Sequence, residues 1–150
     1  MSRDRRDRRQ DRPGEGIEGT TRYLESMGSL AKWEASDLVR RADRIGRELA
    51  RDMTTSQIRN FLDEVNRLEA EVRQSRDGKF DNSRVVLLKP LLAYAAGRER
   101  ERKKREVLRR FAELFSAAIE GVETREDFQN FYRFTQAVVA YHRYHGGSNQ

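Results

Sequence analysis

The sequence predicts an all-α protein, a compact bundle of about five helices that follows a disordered basic tail. Apolar residues recur every three or four positions in several segments, which is typical of amphipathic helices. No segment shows the sustained apolar–polar alternation of a strand. The chain of 150 residues fits one domain. Because its hydrophobic fraction is 36% and its charged fraction 37%, the core must be concentrated in the periodic segments.

The first part of the chain is polar. Residues 1–19 consist largely of Arg, Asp and Gly and cannot offset the entropy lost on ordering, so we expect a disordered tail there. Residues 20–147 then form the helical domain, and residues 148–150 form a short C-terminal tail. Tyr23, Leu24, Leu30 and Trp33 can pack, which predicts an ordered approach segment that can include a helical turn.

Apolar spacing predicts the first two helices. The first stripe is Leu38, Ala42, Ile45, Leu49 and Met53. The second is Ile58, Phe61, Leu62, Val65, Leu68 and Val72, and it ends near Asp77-Gly78. Between the stripes, Thr54 can cap the second helix while Gln57 reaches back in a capping box.

The remaining segments predict three more helices. The third, SRVVLLKPLLAYAAGR, is apolar nearly all round, which predicts a position at the bundle centre or between partners. Pro90 lacks an N–H and must lie in the first turns or kink this helix. The fourth stripe is Val107, Leu108, Phe111, Leu114, Phe115, Ala118, Ile119 and Val122. The fifth is Phe128, Phe131, Phe134, Val138 and Tyr141. Thr124 is the candidate N-cap of the last helix, and Gly146-Gly147 can end it with a left-handed cap.

The positive charge is concentrated in two short segments. Of the net charge of +6, residues 1–13 contribute +3 through six Arg and three Asp. Gly97–Arg110 (GRERERKKREVLRR), called the basic run below, contributes +5. Such local basicity favours an anionic partner. A solvated helix face supported by i, i+4 ion pairs is the alternative interpretation.

Helix geometry makes the basic run unusual. At about 100° per residue, one outer row consists of Arg98, Arg102, Arg105 and Arg109. Arg100 and Lys104, however, lie on the same side as Phe111, and burying both charges would be costly. The helix therefore extends beyond the core at this end, or the chain breaks near Gly97. Either arrangement produces a projecting basic knob that suits a phosphate backbone.

Several classes of function lack support in the sequence. There is no Cys for a disulfide or a thiolate metal site. No apolar run approaches the length of about 20 residues that a membrane span needs, and no secretory signal is evident, so we expect a cytoplasmic protein. Phosphate-loop and dinucleotide motifs are absent, as is a nucleophile–base–acid arrangement, so we expect no enzymatic activity and no cofactor.

Histidines and aromatic residues cluster in the last helix. His142 and His145 have no further candidate metal ligands nearby, which favours a packing or hydrogen-bonding role. The aromatic cluster is Phe128, Phe131, Tyr132, Phe134, Tyr141 and Tyr144. We interpret it as core or subunit interface rather than as a base-stacking platform.

Three stretches resemble the small helical subunit of type III-A CRISPR effector complexes. They are TTSQIRNFLDEV (54–65), LKPLLAYAAGR (88–98) and FYRFTQAVVAYHRYHGG (131–147). Their order and spacing match that family over about residues 37–147, whereas residues 1–36 match nothing in it.

The resemblance implies a non-catalytic subunit that stacks with copies of itself among other effector subunits. It also implies contact with guide RNA and target RNA through their backbones, so that base pairing supplies sequence readout. The family's basic motif positions fall on Arg59, Lys89 and Arg98. Charge alone extends this predicted site to Arg100, Arg102, Lys103 and Lys104. Two alternatives remain: a helical module that binds an acidic protein, and a stand-alone nucleic-acid-binding dimer.

Overall fold

Helices joined by short links make up the fold. The computed structural model describes residues 14–75 and 78–147, and all regular structure within them is helical. The α-helices are α1 (Ile17–Met27), α2 (Ala35–Leu49), α3 (Thr55–Gln74), α4 (Ser83–Val86), α5 (Leu88–Arg98), α6 (Arg102–Glu120) and α7 (Arg125–Tyr144). A 3₁₀ turn, Leu30–Lys32, precedes α2. The all-α prediction is confirmed, but the predicted third helix is divided into the single turn α4 and the longer α5.

Capping boxes begin two of the helices. In α3, Thr54 Oγ1 accepts a hydrogen bond from the Gln57 N–H at 3.1 Å, and Gln57 Oε1 accepts one from the Thr54 N–H at 2.9 Å. Thr124 and Asp127 exchange the same pair of bonds, 3.1 and 3.0 Å long, at the start of α7. Both starts were predicted, because a cap depends only on residues within one turn.

The last helix ends at the glycine pair, as predicted. Gly146 has a φ of +89°, its N–H donates to Arg143 O at 3.0 Å, and the Gly147 N–H donates to His142 O at 2.8 Å. These two bonds form a Schellman motif, which satisfies carbonyl groups that the helix end leaves without a partner.

Phenylalanine rings form the centre of the core. The ring centroid of Phe115 lies 4.6 Å from that of Phe111, 4.9 Å from that of Phe61 and 5.4 Å from that of Phe134. Because these residues come from α6, α3 and α7, their contacts hold three helices together. The stripes therefore predicted core residues correctly: Phe61, Phe111 and Phe131 are all buried.

Helix α5 lies at the surface of the bundle. It packs on α6 through Leu88, Leu92 and Ala96. Large apolar side chains are exposed from the end of α4 to the outer side of α5, and they are called the α5 ridge below: Val86, Leu87, Leu91 and Tyr94. Of the two predicted positions, the bundle centre is therefore excluded, and a position between partners stays a prediction. Pro90 is the third residue of α5, where the helix needs no N–H donor.

The structure also corrects the boundary of the predicted disordered tail. Helix α1 begins at Ile17, and Glu15 and Ile17 are buried. The helix packs on α6 and contacts α2, so residues 14–19 belong to the folded domain. The boundary predicted from composition is wrong because one apolar residue, Ile17, is enough to hold the first turn of α1 on the domain when the neighbouring polar groups are also paired. The rest of the predicted tail, residues 1–13, and residues 148–150 lie outside the described residues.

Candidate nucleic-acid interface

The basic run forms the junction between α5 and α6. Helix α5 ends at Arg98, and α6 begins at Arg102 after a three-residue link. The first buried residue of α6 is Leu108, so about 9 Å of helix precedes the core at a rise of 1.5 Å per residue. Both predicted arrangements therefore occur: α5 ends beside Gly97, and α6 extends beyond the core.

Five cations at this junction form the basic cluster. They are Arg98, Arg100, Arg102, Lys103 and Lys104. All are exposed except Lys104, which is half-buried and lies 3.5 Å from Glu101. Arg100, Arg102 and Lys103 make no ion pair with a carboxylate in the part of the chain that the structure describes. Most of the cluster is therefore accessible to an external anion.

The electrostatics of the α6 start are unfavourable in the free protein. Its N-cap residue, Glu101, makes no side-chain cap hydrogen bond, and its first turn contains no acidic residue. A helix N-terminus already carries a partial positive charge, so each cation there costs about 0.3–1 kcal/mol. By contrast, the first turn of α7 contains Glu126 and Asp127. Free N–H groups together with cations make the α6 start a favourable position for phosphate.

The start of α3 contacts this junction. Gln57 Nε2 donates to Glu99 Oε2 at 3.4 Å, which joins the first turn of α3 to the α5–α6 link. Arg59 is exposed at the same end of the bundle. However, Arg59 lies about 200° around the α3 axis from Gln57. It points closer to the direction of Thr55. The Oγ1 of Thr55 donates to Gly147 O at 3.3 Å. Arg59 therefore occupies a different flank of this end.

Lys89 lies apart from the other predicted site residues. It forms an ion pair with Glu120, the last residue of α6. Lys89 and Arg98 are nine positions apart on α5, which corresponds to about 14 Å along the helix axis. The structure thus brings six of the seven predicted residues to one end of the bundle and leaves Lys89 at the opposite end of α5.

One cation near the cluster was not included in the predicted site. Arg105 is in the first turns of α6, and its Nη2 donates to Arg100 O at 3.5 Å. Helix periodicity places it in the outer row with Arg109. Its spacing of three from Arg102 is the signal that places it beside the cluster.

Asp127 accepts hydrogen bonds from two separate parts of the chain. It accepts hydrogen bonds from Ser29 Oγ at 2.5 Å, Ala31 N at 2.8 Å, Glu123 N at 3.1 Å and Thr124 N at 3.0 Å. Burial alone would raise its pKa, but these four donors outweigh burial and lower the pKa to about 2. The carboxylate thus joins the 3₁₀ region to the start of α7.

The histidines make specific hydrogen bonds. His142 is buried with Nε2 2.6 Å from Met53 O, and His145 Nε2 lies 2.5 Å from Asp43 Oδ1. Both contacts agree with the predicted packing or hydrogen-bonding role. No group of three or more potential ligand side chains within residues 14–75 and 78–147 could hold a metal ion, and no helix in these ranges is long and apolar enough to cross a membrane.

The predicted aromatic cluster is divided between the core and the surface. Phe128, Phe131 and Phe134 are buried, whereas Tyr144 at the end of α7 is 79% exposed. The interpretation as core is therefore confirmed for the phenylalanines, whereas for Tyr144 only the alternative of a subunit interface stays a prediction.

The described residues form a small helical protein with a basic end and an exposed apolar ridge. The family model for Csm2 of type III-A matches residues 32–148. The chain therefore belongs to the Csm2 family and is a small subunit of the type III-A CRISPR effector, as the resemblance predicted.

A relative supports this assignment. The CRISPR system Cms protein Csm2 of Streptococcus thermophilus is 35% identical over 99 residues, which cover 65% of this chain and 76% of that protein. The family match begins at residue 32, so α1 lies upstream of the matched region.

Proposed function

We propose that this protein is a non-catalytic, RNA-contacting subunit of the effector, which holds guide and target RNA through their phosphates. The observation that carries the proposal is the basic cluster at the start of α6. Its cations are exposed, mostly unpaired among the described residues, and adjacent to the free N–H groups of a helix N-terminus. A polyanion would remove the unfavourable charge concentration at that helix start.

Arg59 and Lys89 enter the proposal through their family motif positions. Lys89 already has a partner in Glu120, so RNA must compete with that ion pair, and its contribution should be smaller than that of Arg98. An RNA strand that follows the α5 axis would pass from Arg98 to Lys89 over about 14 Å. Contacts of this kind are independent of base sequence.

Binding of single-stranded RNA by the purified chain tests the proposal. The triple variant Arg98→Ala, Arg102→Ala and Lys103→Ala should weaken binding to unrelated RNA sequences to a similar extent. Each lost phosphate contact should make the slope of log affinity against log salt shallower by about 0.7, which predicts a change of about 2 for three contacts.

Arg73→Ala is the matched control. This arginine is 71% exposed in the last turn of α3, and its loss should leave affinity and salt slope unchanged. The proposal is wrong if the triple variant binds RNA with unchanged affinity and slope, or if its loss depends on the base sequence. Co-purification of the chain with a multi-subunit particle that contains guide RNA is the corresponding test in cells.

Self-association through the α5 ridge is the second part of the proposal. Leu87 is 65% exposed, Leu91 47% and Tyr94 68%, and their spacing of four and three places them on one face of the helix. A continuous apolar strip of this kind is unusual on a monomer surface and is typical of protein–protein contacts. Stacked copies would cover it.

Polar substitutions on this strip test self-association. Leu87→Ser with Tyr94→Ser should lower the apparent mass in concentrated solution without lowering the melting temperature, because both residues are exposed. In contrast, Leu92→Ser, on the buried side of α5, should destabilise the fold. An unchanged mass for the exposed double variant would exclude the ridge as the contact between copies.

The alternatives predict different outcomes in the same experiments. A protein-interaction module would lose partner binding after ridge substitutions but show no salt-dependent RNA binding. A stand-alone nucleic-acid-binding dimer would prefer duplex DNA and would not require other effector subunits.

A further inference from the structure

A pocket between α3 and α5 opens beside the basic cluster. Its volume is about 390 Å³, within the range of roughly 300–1,000 Å³ that is typical of small-molecule sites. Arg98, a member of the basic cluster, lines it, and so does Gln57. Because Gln57 also donates to Glu99 in the α5–α6 link, this end of the pocket is continuous with the surface that is proposed to hold RNA phosphates.

The pocket has an apolar floor and a polar rim. Buried core side chains form the floor: Met53, Phe61, Leu92, Leu108 and Phe111. On the α3 side, the rim includes Asn60, which is exposed and whose side chain makes no hydrogen bond with another described residue. A nucleobase has matching chemistry, since its faces stack on apolar groups and its edge carries donors and acceptors.

Tyr94 and Arg98 line the α5 side of this pocket. Tyr94 is 68% exposed, and the guanidinium carbon of Arg98 lies 6.0 Å from the centroid of its ring. The two residues are one helical turn apart, so an aromatic face and a cation are available side by side. Proteins hold single-stranded nucleic acid with this combination, in which bases stack on aromatic rings and cations contact the backbone.

The charges around the pocket favour one orientation of a nucleotide. Arg98 lies at the end next to the α5–α6 link, whereas Glu64 follows Gln57 by seven residues and lies about 10 Å farther along α3. Glu64 forms an ion pair with Arg67 at 3.2 Å, and Asp63 is also on the rim. Carboxylates repel a phosphate but accept hydrogen bonds from the amino groups of bases. A phosphate at Arg98 with its base directed away from the link therefore fits these charges.

We propose that this pocket holds one unstacked base of the RNA whose phosphates contact the basic cluster. Tyr94 stacks on the base, Asn60 bonds to its edge, and Arg98 contacts its phosphate. The amide of Asn60 provides donors and an acceptor, and every base has an aromatic face, so the pocket accepts any base. This inference rests on the proposed function and adds to it a contact that does not depend on phosphates.

An oligonucleotide without bases separates ring contacts from phosphate contacts. The full chain, at concentrations where it is monomeric, is titrated with single-stranded RNA of roughly ten nucleotides and with an abasic ribose-phosphate oligomer of the same length. Tyr94→Ala should lower affinity for the RNA about fivefold or more, the effect expected when stacking on one base is lost. Affinity for the abasic oligomer should change by less than about twofold, and the salt slope should stay the same, because no phosphate contact is removed.

Three further variants locate the base in the pocket. Tyr94→Phe keeps the ring and should bind RNA like the parent chain. Ala95→Leu fills part of the pocket at a half-buried position without changing a charge, and it should weaken binding of the RNA but not of the abasic oligomer. Leu87→Ser alters the α5 ridge outside the pocket lining and should change neither affinity. Melting temperatures show whether each variant is folded, and Tyr94→Ala with Tyr94→Phe decides the matter if Ala95→Leu is not.

Several results would overturn the inference. Equal losses for the RNA and the abasic oligomer after Tyr94→Ala would show that no base is held. A loss for Tyr94→Phe as large as that for Tyr94→Ala would assign the contact to the hydroxyl group instead of the ring. Unchanged RNA binding by a folded Ala95→Leu variant would place the stacked base outside the pocket.

The same measurements distinguish this inference from the proposed function. If the Arg98, Arg102 and Lys103 triple variant weakens binding of both oligomers while Tyr94→Ala binds RNA like the parent chain, the pocket holds no base but the proposed function stands. If Tyr94→Ala then lowers only the apparent mass in concentrated solution, the pocket belongs to a contact between copies. If the triple variant binds both oligomers like the parent chain, the proposed function itself fails.

Discussion

At the scale of single residues, Asp127 has the clearest effect on stability. Its pKa is lowered from 3.8 to about 2, so the folded state binds a proton less readily than the unfolded state. The resulting stability is present above the unfolded pKa and is lost as pH falls through the folded value. At 1.36 kcal/mol per pKa unit, it amounts to about 2 kcal/mol at most.

Asp127→Asn should therefore lower the free energy of unfolding by about 2 kcal/mol at pH 7. The NH₂ group of the asparagine side chain is a donor, and it would face N–H or O–H groups that donate to the carboxylate in the parent. The difference between variant and parent should shrink as pH is lowered from about 4 to 2, where the parent carboxylate becomes protonated. Urea unfolding at several pH values measures it. Asp63→Asn, at an exposed position of α3, is the control and should change little. If the difference in the free energy of unfolding stays constant with pH, the stabilisation by Asp127 comes from the shape of its side chain and not from its charge.

Phe111 tests the aromatic core. It is 3% exposed and contacts the rings of Phe61 and Phe115. Phe111→Ala should cost about 3–5 kcal/mol, as expected for a buried aromatic residue, and thermal or chemical unfolding measures the loss. The exposed Tyr94→Ala provides the comparison and should cost far less. A loss below about 1 kcal/mol for Phe111→Ala would contradict its place in the core.

At the scale of elements, the start of α6 concentrates positive charge at a helix N-terminus. Arg102→Gln removes a cation from the N-terminal turn and should stabilise the free protein by about 0.3–1 kcal/mol, while it weakens RNA binding. Arg109→Gln changes the same charge in the middle of the helix, where the dipole acts little, and is the matched control. Melting temperatures at low salt measure the effect. A destabilised Arg102→Gln variant would mean that this arginine has a structural partner.

At the scale of the whole molecule, the region upstream of the family match is part of the fold. Removal of residues 1–31 would expose the surfaces of α6 and α7 that Ile17, Leu24 and Leu30 cover, and would leave Asp127 without two of its donors. We expect this truncated chain to lose cooperative unfolding, whereas removal of residues 2–13 should shift the melting temperature by no more than a degree or two. Calorimetry of both chains measures this. Equal stability of the two would contradict a structural role for α1.

Local sequence patterns predicted most of the helices, the starts of α3 and α7, and the end of α7. The capping pairs Thr54–Gln57 and Thr124–Asp127 act within one turn. Apolar stripes indicate which face of a helix is buried. The basic run could be located for the same reason, since charges close in sequence on one helix end stay close in space. The family could also be recognised from three short stretches.

The sequence by itself thus determined the helical class, the starts of α3 and α7, the core stripes and the position of the basic run. Only the tertiary structure decided that α5 lies at the surface, that Lys89 is separated from Arg98, and that α1 packs on α6. The same holds for Asp127, whose donors Ser29 and Ala31 are almost 100 residues away in the chain. The physical reason is that a helix fixes neighbours three or four residues apart, whereas packing between helices brings together groups whose separation in sequence carries no local signal.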